Sequence, residues 1–484
     1  MTITWEQVLA FLCEDQTMAI TSLLFLAFFA AVALINYALP RVLRPYFLLA
    51  ASYGFFCYDP VNRPLVWVIA AATVLTWLCG LIIGKVRAKP VRVLALAASV
   101  GFGIGILVYY KYWNLLADTV GGSILSHREN LLAPLGLSYF TFAAMSYTID
   151  VYKRRCRVET NLLHYALFVS FFPTLINGPI ERYPQMRPQI RKSRRFSYGR
   201  CAGGAFRMLW GYTKKMVLAD NLSHYVSLVY GDVGSMSGPN LVAATVLFAV
   251  QLYMDFSGCC DIALGAARIL GYDLIENFQS PFEARTFNDF WRRWHISMTS
   301  WFRDYVYIPL GGSRCRLRRT CLNLLIVFAL TGLWHGAAWQ YVVFGLLHGI
   351  ILCMERLGLR RALEQLPRLF RHLYTVVLLW LTLVIFGAPG LSEGLAVLKG
   401  IFTWQSGAKG YTLAAFADTK LLLILAASFL LCGPVQALCP KLKAALYAKK
   451  APSPAGMAGL LVLLFLGLMR VTAGTYSAFI YFQF

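Results

Sequence analysis

The chain has 484 residues, of which 58% are hydrophobic and 15% aromatic, and its mean hydropathy is +0.60. A soluble domain could not bury that much apolar surface, so the composition excludes a soluble globular protein and predicts an all-α polytopic membrane protein. The net charge of +23 does not indicate nucleic-acid binding, because lysine and arginine cluster in short loops between apolar runs, where they orient a membrane protein and contact lipid headgroups.

The length predicts one domain over residues 1–484, with about ten or eleven transmembrane helices. In the first third of the chain, apolar runs predict spans at residues 18–39, 45–58, 65–83, 93–112 and 131–152. Basic loops follow the first, third and fifth of these runs. Positive loops lie on the cytoplasmic side, so the N-terminus is predicted outside.

Residues 162–180 form a single apolar run between two strongly basic loops. One crossing cannot join two cytoplasmic loops, and the run contains Pro173, Pro179 and the pair Asn177–Gly178. We therefore predict a broken segment that enters the membrane and returns. Irregular backbone at that depth survives where it lines a cavity, so Asn177 is a candidate for binding substrate.

Residues 287–312, FNDFWRRWHISMTSWFRDYVYIPLGG, combine charges and tryptophans with apolar residues at helical spacing. This pattern predicts an interfacial or cavity-lining amphipathic helix that carries His295. Two interpretations of Arg292, Arg293 and Arg303 stay open. They either anchor the helix at the membrane interface or meet the phosphates or thioester carrier of a substrate that enters from the cytoplasm.

Residues 324–349 are a long apolar run with basic residues on its N-terminal side and a Glu–Arg pair after it. His335 lies in its middle, between Trp334 and Gly336. Ionisable groups within a membrane are rare and usually functional, although a structural histidine bonded to a neighbouring helix is the alternative. We predict a tight re-entrant or two-helix element that begins and ends at the cytoplasm, with His335 near its deep end.

Further spans are predicted at residues 372–388, 421–438 and 455–478, which leaves both termini extracytoplasmic. The chain ends in FIYFQF. These aromatic residues either form an interfacial belt or enter a pocket and present the phenol of Tyr481. The twelve cysteines are scattered without metal-ligand spacing, so neither a metal site nor a bound cofactor is predicted.

Three motifs carry a resemblance to a known family: FWRRWHISMTSWFRDYVYIPLGG, LTGLWHGAAWQYVVFGLLHG and the terminal FIYFQF. With them the sequence resembles the membrane-bound O-acyltransferase (MBOAT) family, and within it the bacterial branch of alginate O-acetylation proteins. The resemblance implies a ring of helices around a central tunnel, in a multi-pass protein of the inner (cytoplasmic) membrane. His335 matches the essential histidine of the family, and His295 matches the second histidine.

The resemblance also implies a reaction. Neutral His335 would remove the proton from an acceptor hydroxyl as its oxygen attacks an acyl thioester, either acetyl-CoA or an acyl carrier, with His295 in support. Trp334, Asn177 or a freed backbone N–H are candidate donors to the oxyanion. Tyr481 would carry the acyl group onward to an extracytoplasmic acyltransferase or esterase-like partner that acts on an exopolysaccharide.

Other functions fit the same pattern. A D-alanyl-type or lipid acyltransferase would use the same histidine. A transporter of an envelope precursor would equally contain broken helices around a cavity, and an envelope scaffold would use the motifs for packing only. Transfer of a labelled acyl group separates the enzymes from the other two classes.

Overall fold

The computed structural model describes residues 18–121, 124–129, 131–175, 177–407, 413, 419–432 and 453–472. All regular structure in these ranges is helical, which confirms the predicted all-α class. The helices are α1 Leu23–Ala38, α2 Arg44–Tyr58, α3 Val66–Lys85, α4 Lys89–Leu107, α5 Trp113–Val120, α6 Leu137–Tyr152, α7 Leu162–Ser170, α8 Phe172–Leu175, α9 Tyr183–Arg191, α10 Tyr198–Tyr212, α11 Asp220–Gly231, α12 Gly238–Ile269, α13 Phe287–Arg293, α14 Ile296–Phe302, α15 Leu317–His335, α16 Trp339–Met354, α17 Arg360–Gln365, α18 Arg368–Gly387, α19 Leu391–Phe402, α20 Thr419–Cys432 and α21 Pro454–Thr472.

Within the described ranges, six helical stretches are long and apolar enough to cross a membrane. They are Arg63–Lys85, Lys89–Val120, Gly238–Ile269, Leu317–His335, Trp339–Gln365 and Arg368–Gly387. The chain is therefore a multi-pass membrane protein. Other predicted spans form shorter helices, such as α2 with 15 residues and α6 with 16, whereas a perpendicular crossing needs about 20. The count of ten or eleven spans thus stays a prediction.

The chain divides into two compact units. The first consists of residues 1–208, 259–275 and 449–453, and the second of residues 209–258, 276–448 and 454–484. The single domain over residues 1–484 stays a prediction.

In the first unit, α3 packs against α4, α6 and α7. Hydroxyl side chains join these helices: Thr76 bonds Tyr165 at 2.8 Å, and Ser99 bonds Thr148 at 2.8 Å. Small and hydroxyl residues drive association in membranes because apolar side chains gain nothing by leaving lipid. The predicted break in residues 162–180 is confirmed, since α7 ends at Ser170 and α8 has only four residues.

In the second unit, α15 and α16 form an antiparallel pair, and α16 also packs against α13 and α18. The two-helix element predicted around His335 is confirmed. The helices extend beyond the apolar run at both ends, to 19 and 16 residues. Gly336 is extended, with φ −167°, and ends α15. A Cβ at this glycine would overlap the ring of Tyr341, so a larger residue here would require that ring to move.

The single amphipathic helix predicted over residues 287–312 is wrong. The structure divides this segment into α13 and α14, each of seven residues, followed by a π-helical turn at Arg303–Tyr307. The break falls at His295, whose backbone is left-handed with φ 46° and ψ 51°. Helical periodicity in the sequence does not reveal the break at His295, because the backbone conformation there is fixed by contacts outside the segment.

Candidate active site

His335 lies at the deep end of the α15–α16 pair and is 3% exposed. Its ring contacts three aromatic rings nearly edge to face, with centroid distances of 5.2 Å to Trp334, 5.3 Å to Phe386 and 6.1 Å to Phe344. Edge-to-face packing is favourable for aromatic rings and fixes their orientation. The imidazole is therefore held in place by packing against apolar rings.

A cavity adjoins His335 in the second unit. Its lining residues are Leu252, Phe282, Phe290, Trp291, Trp294, His335, Phe344, Leu379, Leu383 and Phe386. Among the described residues, this lining contains no Asp, Glu, Lys or Arg, and its one titratable side chain is His335. The space between the lining atoms is about 340 Å³ and includes space that is open to the surroundings. Within it there is room for about one water-sized sphere.

His295 lies behind Trp334 and is not among the cavity-lining residues. Its fully buried ring stands 4.8 Å from Phe256 and 5.1 Å from Trp334, centroid to centroid. Neither ring nitrogen has a hydrogen-bond partner in another described residue. Trp334 therefore touches both histidines, and its indole couples the position of His295 to that of His335.

Asn277 holds the unusual backbone at His295. The Asn277 carbonyl accepts a hydrogen bond from the Ile296 N–H at 3.0 Å. Its side-chain Oδ1 accepts from both the N–H and the Oγ of Ser297, each at 3.0 Å. Left-handed backbone in a residue other than glycine persists where its surroundings impose it, and these three bonds supply that restraint.

The three predicted arginines do not line the described cavity. Arg293 pairs with Asp289 at 2.9 Å and Glu283 at 3.6 Å. Arg303 is exposed and pairs with its neighbour Asp304 at 2.8 Å. Arg292 is exposed, and no acidic partner is found for it among the described residues. Both interpretations of these arginines, interfacial anchoring and contact with an entering substrate, stay predictions.

Two further residues predicted to take part in the site are Asn177 and Tyr481. Asn177 belongs to the first unit, where it is buried and its carbonyl accepts a hydrogen bond from the Cys260 Sγ at 3.2 Å. Tyr481 lies outside the described residues. Their assignments as substrate-binding residue and acyl carrier stay predictions.

The sequence analysis missed a third histidine, His348 on α16. It is completely buried, and its Nδ1 accepts a hydrogen bond from the Trp291 Nε1–H at 3.1 Å. Its Nε2 lies 2.8 Å from the Thr382 Oγ1, and the Thr382 hydroxyl donates to the Leu379 carbonyl at 2.8 Å. Thr382 has thereby used its hydrogen, so its oxygen accepts from Nε2–H and His348 is the neutral Nε2–H tautomer. The signal was available, since His348 lies in the same apolar run as His335.

This arrangement can perform proton transfer at one place. Imidazole exchanges a proton near neutral pH, and His335 is the cavity-lining group among the described residues that can do so. The rings around it exclude bulk water, which protects a reactive ester from hydrolysis. His348 is committed to its hydrogen bonds, and His295 does not reach the cavity.

The model of the membrane-bound O-acyltransferase family (MBOAT) matches residues 131–403. The chain is 30% identical to the probable alginate O-acetylase AlgI of Azotobacter vinelandii, over 96% of this chain and 100% of that protein. It is 33% identical to the peptidoglycan O-acetyltransferase of Helicobacter pylori, over 78% of this chain and 76% of that one. It is also similar to the teichoic acid D-alanyltransferase of Bacillus subtilis, with 28% identity over 46% of this chain and 59% of that one.

Proposed function

Because the chain belongs to the membrane-bound O-acyltransferase family, we propose that it transfers an acetyl group from a cytoplasmic thioester to a polysaccharide. The donor is acetyl-CoA or another acetyl thioester, and the acceptor is an extracellular or cell-envelope glycan. Acyltransfer itself follows from the family, and the multi-pass membrane location follows from the family and the apolar helices. We further propose that the donor carries acetyl and binds from the cytoplasmic side. We also propose that the protein lies in the inner membrane with both termini extracytoplasmic.

One observation carries the choice of acetyl: the described lining of the cavity is apolar apart from His335. A D-alanyl group brings an ammonium, and a buried charge requires a paired carboxylate or it is strongly disfavoured. The described lining has no such carboxylate. An acetyl group presents an uncharged methyl to the rings, so the lining supports acetyl transfer over D-alanyl transfer.

In the proposed step, neutral His335 takes the proton of the acceptor hydroxyl while the oxygen attacks the thioester carbonyl carbon. The tetrahedral intermediate collapses, the C–S bond breaks, and the imidazolium returns the proton to the departing sulfur. The products are an O-acetyl ester and a thiol. His335 is the last residue of α15, so the negative end of the helix dipole stabilises the imidazolium that forms. The Trp334 and Asn177 side chains remain candidate oxyanion donors.

Admission of a thioester requires the cavity to open. The cavity accommodates about one water-sized sphere, whereas the pantetheine arm of a thioester occupies a much larger volume. We expect lining rings other than the hydrogen-bonded Trp291 to move apart when the donor binds, as active-site elements do in enzymes that close around their substrates.

The proposal includes a second stage on the outer side. Tyr481 receives the acetyl group, and an extracytoplasmic transferase or esterase-like partner moves it to the glycan. The Tyr481→Phe variant keeps the ring and removes the nucleophile. Retained acetylation of the polymer by this variant would exclude the second stage without affecting the role of His335.

The test uses purified protein in lipid nanodiscs with radiolabelled acetyl-CoA, and mass spectrometry of the polymer from cells. His335→Ala should lower transfer by about 10²–10⁴-fold, the usual contribution of a general base. His224→Ala is the matched control, because His224 is an exposed histidine of α11 in the same unit. Wild-type transfer by His335→Ala would overturn the assignment. Absence of label transfer by the wild type with an intact partner would favour a transporter.

A further inference from the structure

We propose that Trp291 limits the size of the acyl group that the enzyme accepts, and that His348 is a positioning residue that holds Trp291 in the cavity wall. This inference rests on the proposed acetyl transfer. It concerns a hydrogen-bonded chain that joins three helices, from Trp291 on α13 through His348 on α16 to Thr382 on α18.

The Trp291 indole is part of the cavity wall and is 4% exposed. Its ring packs against Phe328 at 5.1 Å and against His348 at 5.4 Å, centroid to centroid. The hydrogen bond from its Nε1–H to His348 fixes the rotation of the indole about its side-chain bonds. A large flat ring fixed in this way determines how much room remains beside His335.

Hydrogen bonds and ring contacts of His348 restrain the Trp291 indole. Both of its nitrogens are engaged, one by Trp291 at 3.1 Å and the other by Thr382 at 2.8 Å. The residues that flank Thr382 on α18, Leu379 and Leu383, also line the cavity. His348 additionally contacts Phe344 at 4.3 Å between centroids, and Phe344 is a further part of the wall. One buried histidine therefore sets the position of several lining side chains.

The consequence is selection by size. Each added methylene of an acyl chain favours transfer only where the cavity has room for it, because its burial in apolar surroundings is favourable. A fixed indole denies that room to propionyl and butyryl groups. Discrimination by one methylene in an apolar pocket is typically about 10–200-fold, so the wild type should favour acetyl donors strongly.

The experiment measures kcat/KM for acetyl-, propionyl- and butyryl-CoA with the full-length protein in nanodiscs. Trp291→Phe, His348→Ala and Thr382→Val should each raise the propionyl-to-acetyl ratio, with Trp291→Phe raising it about tenfold. Thr382→Val keeps the side-chain shape and replaces only the hydroxyl. It therefore tests the hydrogen-bonded chain from Trp291 to Thr382 even where His348→Ala fails to fold. Thr382→Ser restores the hydroxyl and should return the wild-type ratio.

Trp380→Phe is the matched control. Trp380 lies on α18 two residues from Thr382, donates its indole N–H to Thr245 at 3.0 Å, and is not among the cavity-lining residues. Its variant should leave the ratio unchanged. Equal losses with all three donors in the Trp291 and Thr382 variants would overturn the size-limiting role. If the wild type transfers no acyl group from any donor, the proposed function fails and this inference fails with it.

Discussion

Replacement of Gly345 by alanine is expected to push α15 and α16 apart and to impair acyl transfer more than folding. Gly345 faces α15 at the closest approach of the two helices. A Cβ at this position would overlap the carbonyl oxygen of Phe328 and lie 3.0 Å from the N and Cα of Gly332. All three are backbone atoms, which cannot rotate away as a side chain would. The helices themselves must therefore move.

The size of the effect follows from these contacts. Ordinary carbon contacts are about 3.5–4.0 Å, so the two backbones must separate by roughly 1 Å. Overpacking of this kind costs about 1–3 kcal/mol, whereas a misplacement of about 1 Å in an active site can cost about 10²-fold in rate. The neighbour of Gly345, Phe344, contacts His335 and lines the cavity. The shift is therefore transmitted directly to the proposed base.

The assay compares acetyl transfer and thermal unfolding of Gly345→Ala with those of Gly105→Ala. Gly105 is also a glycine of a membrane helix, but a Cβ there meets no atom within 4 Å. The control should keep its activity and its melting temperature. Acetyl transfer by Gly345→Ala at the wild-type rate, or an equal loss of activity in both variants, would contradict this prediction.

Two further predictions concern the surroundings of His295 and a buried carboxylate of the first unit. Asn277→Ala should reduce acetyl transfer by about tenfold, because it removes two hydrogen bonds to Ser297 that contribute about 0.5–1.5 kcal/mol each. Ser297→Ala should reduce it less. Transfer by Asn277→Ala at the wild-type rate with saturating donor would contradict this. Burial alone would raise the pKa of Glu159, but hydrogen bonds from Arg191, Tyr183 and the Asn161 N–H, with the charge of Arg191, together outweigh burial and lower it from 4.5 to about 2. The carboxylate thus stabilises the fold fully above about pH 4.5 and progressively less as the pH falls toward 2. Glu159→Gln should therefore lower the free energy of unfolding at pH 7 by about 2 kcal/mol, and its melting temperature should no longer show this pH dependence. A variant whose melting temperature depends on pH as that of the wild type does would disprove this prediction.

The local features of this protein could be predicted from the sequence. Hydropathy runs indicated the membrane class, and the prolines near Asn177 indicated the broken segment. The long apolar run of residues 324–349 indicated the two-helix element in which His335 is the last residue of α15. Each of these depends on residues adjacent in the chain, because backbone breaks and membrane insertion are decided by short stretches.

The details of the site depended on the tertiary structure. The break at His295 is imposed by Asn277, which lies outside the segment 287–312 and bonds to Ile296 and Ser297 immediately after His295. The role of His348 depends on partners from two other helices. Periodicity reports which face of a helix is apolar, but it carries no information about which side chain on another helix will donate or accept a hydrogen bond. Only the packing of the helices brings those donors and acceptors to within bonding distance.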